Sequence, residues 1–236
     1  AAMQATAGDV WMYGDPENHD LRQALAAHHQ ISPDNIMVGE GIDGLLGYLV
    51  RLLVGPGDHV VTSQGAYPTF NYHVAGFGGQ LHTVPYCDDH EDPAALFAKA
   101  GDVDAKLVYL SNPDNPMGSW HSGADIVAAL KDLPEGSLLV LDEAYVECAP
   151  EGTAAPIDAN DPRVIRMRTF SKAYGMAGAR VGYEQNSTGR GLGSLVGRRL
   201  AGACSERDWR RAQADHRDRR TKRADCPALC HQFRRH

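Results

Sequence analysis

Residues 137–145 read SLLVLDEAY. Four apolar residues, Leu138 to Leu141, run straight into a carboxylate, Asp142. An uninterrupted apolar run this short suits a strand covered on both faces, because a sheet with one wet face demands polar alternation. KLVYLSNP (106–113) and RVIRMRTFS (163–171) read as apolar strands on either side of it. Upstream, DHVVTSQ (58–64) and GGQLHTVPY (78–86) read as strands too. NIMVGEGIDGLLGYLVRLL (35–53) opens as a short strand, breaks at its glycines and continues as an apolar helix. Helical segments lie between: HDLRQALAAHHQ (19–30), DPAALFAKA (92–100), opened by Asp92 and Pro93, and residues 122–132. Strands alternating with helices predict an α/β fold, a doubly wound, mostly parallel sheet with helices on both faces in three layers.

A chain of 236 residues with 43% hydrophobic content has room for one large domain with an appendage. It contains no run of eighteen apolar residues, and its start, AAMQATAGDV, lacks the basic flank and apolar block of a secretory signal. A cytoplasmic protein without a membrane partner is expected. Cysteines 87, 148, 204, 226 and 230 form no CxxC pair and read as free thiols, with neither a metal site nor a disulfide framework implied. Charge divides the chain: residues 1–184 carry 10 Lys+Arg against 25 Asp+Glu, and residues 185–236 carry 13 against 5.

Ligands of a doubly wound sheet gather outside the carboxyl ends of its strands. The polar residues there are Gly39-Glu40-Gly41, Asn112 to Asn115, Asp142 to Tyr145, and Ser171-Lys172. A carboxylate at the end of a buried strand, as at Asp142, is costly unless paired; taken alone it also reads as a helix cap or a surface ion pair. Lys172 lies among small residues in TFSKAYGMAGAR (169–180). A lysine amine attacks a carbonyl carbon once it is neutral, a state that a nearby cation and partial desolvation favour. Arg180 offers a planar, permanently charged fork suited to a phosphate. Thr169 and Ser171 add hydroxyls, and the small residues around Gly175 and Gly178 let backbone approach a ligand closely. Glu40, Gly41 and Ile42 lie between a strand and a helix, where backbone amides form an anion cup. That fragment reads equally as a plain turn, and the Glu40 charge would have to turn away from any anion held there.

Taken together, SNPDNPMG (111–118), LDEAY (141–145) and TFSKAYGMAGAR (169–180) resemble the class I/II aminotransferases, pyridoxal-phosphate enzymes of the aspartate-aminotransferase fold (fold type I). The spacing agrees, with 27 residues from Asn115 to Asp142, 30 to Lys172 and 8 to Arg180, and the histidinol-phosphate aminotransferase branch is the most similar. The resemblance implies pyridoxal 5′-phosphate as cofactor, a homodimer, and transamination of an amino acid or amino-phosphate with 2-oxoglutarate or glutamate. It makes Lys172 the Schiff-base lysine and carrier of the proton between Cα and C4′. Asp142 becomes the partner of the protonated pyridine nitrogen, and Tyr145 and Asn115 partners of the ring 3′-oxygen. Arg180, Ser171, Thr169 and the Glu40-Gly41-Ile42 loop fall at the phosphate. YPTFNY (67–72) resembles the segment carrying the aromatic that stacks on the ring, pointing to Phe70 with Tyr67 and Tyr72 behind it; plain core packing is the alternative. Asn112, like Asn115, also reads as an ordinary turn residue between prolines. Tyr13 in MYGDP matches the tyrosine that reaches the phosphate of a neighbouring subunit. His28, His29, His73 and His82 lack ligand spacing. Decarboxylases and lyases of the same fold, the threonine-phosphate decarboxylases among them, share this cradle, so the outcome at Cα stays open.

The resemblance covers residues 1 to about 184, and the family's N-terminal arm has no counterpart before Tyr13. Residues 185–236 contain no Ile, Met or Tyr and twelve arginines. One reading is a disordered basic arm that binds nucleic acid. The preferred reading is a lost reading frame in a GC-rich gene: CPALCHQFRRH can be encoded so that a one-nucleotide shift reads ARPFATNFVA, which resembles a small-domain strand of the family. Nucleic acid is then not an expected partner. No residue matches the family's arginine that clamps the substrate carboxylate, so turnover by this chain is expected to be weak or absent.

Overall fold

The computed structural model describes residues 2–187, and the fold is given for these. Its centre is a seven-stranded sheet in the order β1-β7-β6-β5-β4-β2-β3. The strands are β1 Ile36–Gly39, β2 His59–Ser63, β3 Gln80–Val84, β4 Leu107–Ser111, β5 Leu138–Asp142, β6 Val164–Thr169 and β7 Gly182–Gln185. The helices are α1 Ala2–Thr6, α2 His19–His29, α3 Gly41–Leu53, α4 Thr69–Gly76, α5 Pro93–Val103 and α6 Gly123–Ala129. β3, β2, β4, β5 and β6 pair in parallel, and β7 alone runs antiparallel, to β1 and to β6. The mostly parallel α/β sheet expected from the apolar runs is the fold found.

Local chemistry accounts for the starts of α5 and α6. The Asp92 carboxylate accepts from the Ala95 amide with Pro93 in the first turn of α5, and the Ser122 hydroxyl accepts from the Asp125 amide at the start of α6. The short helix α1 and, with it, α4 and β7 escape a reading of the sequence. α4 is rich in aromatic and β-branched residues, weak helix formers, and is held by tertiary packing of the fully buried Phe70 and Val74. β7 is four residues of mixed polarity, buried throughout because it lies between two other strands.

Strand alternation sends side chains to two faces. Val61, Val108, Leu110, Leu139, Leu141 and Val164 pack with Leu96 and Phe97 of α5 and Ile126 of α6. The opposite face carries Tyr109, on which the Phe70 ring of α4 stacks with centroids 4.7 Å apart and planes 15° from parallel. α3 lies beside α4, and its Leu45, Leu46 and Leu49 are fully buried. Each such side chain contributes about 1.5–3 kcal/mol.

Register brings functional positions together. Ser111 pairs with Asp142 and Asp142 with Met167, so β4, β5 and β6 end side by side. Gly182 in β7 lies against the start of α3: a Cβ there would meet the backbone of Gly41 and Ile42 at 2.9 Å. Gly182→Ala is therefore expected to push the loop before α3 aside and to destabilise the domain by about 1–3 kcal/mol, measured by urea denaturation. An alanine variant as stable as the parent would show that this contact yields freely.

Candidate active site

A cavity of about 210 Å³ opens at the carboxyl ends of β4, β5 and β6 beside the N-terminus of α3. Asn115, Asp142, Tyr145, Thr169, Ser171, Lys172 and Arg180, along with Ile42, all line it. Residues spread over more than 130 positions of sequence thus share one space.

Asp142, the last residue of β5, is the buried charge of this cavity. Its Oδ2 accepts from the Tyr109 hydroxyl at 2.6 Å, and its Oδ1 accepts from the Ala144 amide at 2.9 Å. Burial pushes this carboxyl above the usual carboxylate range, opposed by those two donors and by the charge of Lys172. The same burial, with the Asp142 charge alongside, holds the Tyr109 phenol well above its ordinary value. A carboxylate buried against one phenol and one amide is under-compensated, and a cation placed in the cavity would complete it.

Lys172 lies just past the end of β6, with its ammonium 4.9 Å from the centre of the Tyr145 ring. Thr169, the last residue of β6, donates to the Ser171 hydroxyl at 3.0 Å and accepts from the Ser171 amide at 3.1 Å. These bonds fold the chain so that both hydroxyls and the lysine face the same space.

The opposite end of the cavity is cationic. No side chain caps the first turn of α3, so its amides stay available as an anion-binding nest. Arg180 reaches over this turn, donating to the Glu40 carbonyl at 3.3 Å and to the Ala177 carbonyl at 3.0 Å. Gly41 has φ +82°, so the turn requires glycine, and the absent side chain leaves room for the Arg180 guanidinium, 2.9 Å from where a Cβ would stand. The Glu40 carboxylate faces away, accepting from the Tyr48 hydroxyl at 3.0 Å.

Other expected residues sit elsewhere. Phe70 is fully buried behind the wall, stacked on Tyr109, and does not line the cavity. Tyr67 does line it, while Tyr72 points to solvent. The correction follows from α4: once this segment turns helical, Phe70 rotates into the core. Tyr13 is fully exposed on the N-terminal segment and lies outside the cavity lining. Asn112 is structural, donating to the carbonyls of His121 and Thr153 and accepting from the His121 amide.

The sequence alone does not single out Tyr109, although a tyrosine inside an all-buried strand needs a partner for its hydroxyl. Nor does it single out Glu143, almost fully buried next to Asp142 and paired with Arg166 and Arg168 at 2.9 Å each. Beyond Arg168, burial and the guanidinium charges push the His29 imidazole down to about 4, and it pairs with the Tyr183 hydroxyl at 2.9 Å. Among the described residues, no cluster of His, Cys, Asp or Glu is arranged to hold a metal ion. Among them, too, no helix is long and apolar enough to cross a membrane.

Comparison with known proteins agrees with this geometry. The family profile for aminotransferase class I and II matches residues 1–185. The chain is 37% identical over 175 residues to histidinol-phosphate aminotransferase of Lactiplantibacillus plantarum, covering 72% of this chain and 49% of that protein. It is 39% identical over 189 residues to the Anaeromyxobacter enzyme of the same name, covering 78% and 51%. The crystal structure of histidinol-phosphate aminotransferase from Sinorhizobium meliloti, in complex with pyridoxal-5′-phosphate, superposes with a TM-score of 0.77 at 56% identity, over 87% of this chain and 54% of that one. The chain spans about half the length of the curated relatives it matches. With the fold, the cavity and the profile in agreement, this chain belongs to the class I and II aminotransferase family.

Proposed function

We propose that the chain binds pyridoxal phosphate in the cavity at the ends of β4, β5 and β6, as the cofactor-holding part of an aminotransferase acting on histidinol phosphate or a related amino-phosphate, with 2-oxoglutarate or glutamate as second partner. The observation that carries this reading is that Asp142, Lys172 and Arg180 line one cavity. The cavity suits the cofactor at both ends: an under-compensated buried carboxyl for a protonated ring nitrogen, and free helix amides with a guanidinium for a phosphate.

When bound, pyridoxal phosphate supplies an aldehyde to receive the amino group and a ring that withdraws electrons from the substrate carbon. Asp142 fixes a positive charge on the ring nitrogen. Lys172 would hold the cofactor through its aldehyde carbon and, once its amine is displaced by that of the substrate, would be placed to carry a proton between the substrate Cα and C4′. Tyr145 and Asn115 orient the ring through its 3′-oxygen. The amides of Gly41 and Ile42, Arg180 and the hydroxyls of Ser171 and Thr169 grip the phosphate. Tyr67, which lines the cavity, would lie against the ring, while Phe70 braces Tyr109 and through it Asp142.

A cytoplasmic homodimer, with exposed Tyr13 reaching a partner's phosphate site, belongs to the same proposal. So does a cofactor domain of residues 1–184, with the residues after it out of frame and little turnover by the 236-residue chain; these later positions lie beyond the described residues apart from the end of β7 and the two residues after it.

Mixing the purified chain with pyridoxal phosphate is expected to give a visible Schiff-base band, which borohydride fixes on the peptide containing Lys172. Lys172→Ala removes both signals and keeps the weaker, phosphate-anchored binding of pyridoxine phosphate. No band in a folded chain overturns the reading. Release of carbon dioxide in place of amino transfer to 2-oxoglutarate would move the assignment to a decarboxylase.

A further inference from the structure

We propose that Glu91, as a neutral acid giving its proton to Asp114, is the positioning residue that holds the Asn115 loop at the cavity. The pocket role of that loop rests on the function proposed above; the proton on Glu91 does not.

Glu91 lies just before α5 and is almost fully buried. Its Oε2 accepts from the Ser63 hydroxyl at 2.5 Å, at the end of β2. Its Oε1 accepts from the Ser111 amide at 2.9 Å, at the end of β4. Both oxygens are thus engaged by donors, yet the side chain also lies within hydrogen-bonding reach of the Asp114 carboxyl. Two carboxylates cannot meet there without a proton between them. Asp114 likewise accepts from two donors, the Tyr86 hydroxyl at 3.1 Å and the Met117 amide at 3.0 Å. Of the two carboxyls Glu91 is the more deeply buried, and the proton belongs there.

Asp114 in turn closes the turn that carries Asn115. Its amide donates to the Ser119 carbonyl at 2.9 Å, and its carbonyl accepts from the Gly118 amide at 3.2 Å. On the far side, the His121 ring donates to the Glu91 carbonyl at 2.6 Å. Glu91 thus ties the ends of β2 and β4 to both arms of the 112–121 loop. The titratable groups facing it are Asp114 from the loop, Tyr86 after β3, Tyr109 of β4, and His121 with His90 beyond it. Burial, with the Asp114 charge beside it, pushes the Glu91 carboxyl up to about 8, against the opposing bonds from Ser63 and Ser111. Above that pH the pair becomes two like charges in a buried site, and the loop loses its anchor.

Amide hydrogen exchange on the ligand-free full chain decides the proposal without any cofactor. After correction for intrinsic rates, protection of the Met117 and Gly118 amides is expected to be level up to pH 7 and to fall about tenfold by pH 9, one unit above the Glu91 value. Glu91→Gln, neutral at every pH and still able to donate to Asp114, is expected to stay level, while Glu91→Ala loses protection throughout. Should Glu91→Gln fail to fold, Asp114→Asn serves: it removes the like charge that holds the Glu91 proton, so Glu91 ionises at lower pH without repulsion and the fall between pH 7 and pH 9 disappears. Identical pH courses in wild type and Glu91→Gln, or an unchanged course in Asp114→Asn, overturn the proposal. Trapping on Lys172 separately decides the cofactor reading. If the loop is a positioning device for the pocket, the Kd of pyridoxine 5′-phosphate, which needs no Schiff base, rises over the same pH range in wild type and does so less in Glu91→Gln.

Discussion

Asp142→Asn is expected to weaken pyridoxal phosphate binding by about 30-fold to several thousand-fold while making the ligand-free domain more stable at neutral pH. The first half follows from the cost of removing one partner of a buried charge pair, about 2–5 kcal/mol at roughly 1.4 kcal/mol per tenfold. An asparagine keeps the shape and still accepts from the Tyr109 hydroxyl, but it offers a ring cation no charge. The second half follows from burial, which raises the Asp142 carboxyl in the folded state. Between the unfolded and the raised value the native chain holds a proton that the unfolded chain has released. Native stability therefore falls as pH rises through that interval, by about 1.4 kcal/mol for each unit of difference. Asparagine abolishes this fall. Urea denaturation at acid and neutral pH, with cofactor titration at neutral pH, reads both effects. A site that is costly empty and favourable when filled is the mark of a binding group; equal affinity in the two proteins would remove Asp142 from the cofactor's partners.

What could be seen in the sequence divides along a physical line. LLVL before Asp142 and LVYLS before Asn112 announce buried strands because every residue in them must be apolar or partnered. Lys172 and Arg180 stand out because their local company is small and flexible. Features set by distant partners are silent. Tyr109 and Asp142 are 33 residues apart, and Glu143 is 23 from Arg166; only the register of β4, β5 and β6 makes them neighbours. β7 needs β1 and β6 on its flanks before its mixed polarity makes sense. The misplacement of Phe70 has a related cause: YPTFNY gives no hint that a helix starts within it, and helix phase decides which aromatic meets the cavity. Glu91 lies in a polar-looking stretch, DDHED, where nothing local distinguishes the buried acid from its exposed neighbours.

Glu143→Ala is expected to cost about 3–5 kcal/mol, a large share of the 5–15 kcal/mol that holds a typical domain together. Glu143 is 1% exposed at its side chain and accepts from Arg166 and Arg168, themselves only 12% and 11% exposed. Deleting the carboxylate strands two guanidinium groups; among the described residues the other acid paired with them is Glu147, 3.5 Å from Arg168. The attraction itself is not the source of the loss, since burying three charges already costs several kcal/mol per ion. Replacing the group as a whole, with Glu143→Leu, Arg166→Met and Arg168→Met together, is accordingly expected to leave stability near that of the parent or above it. Urea midpoints for the single and triple variants separate the two accounts. If the single variant loses less than about 1 kcal/mol, the arginines reach water on their own, as exposed pairs do. If the triple loses as much as the single, the network contributes by its attraction after all, and the end of β5 that presents Asp142 to the cavity depends on charge where packing would have served.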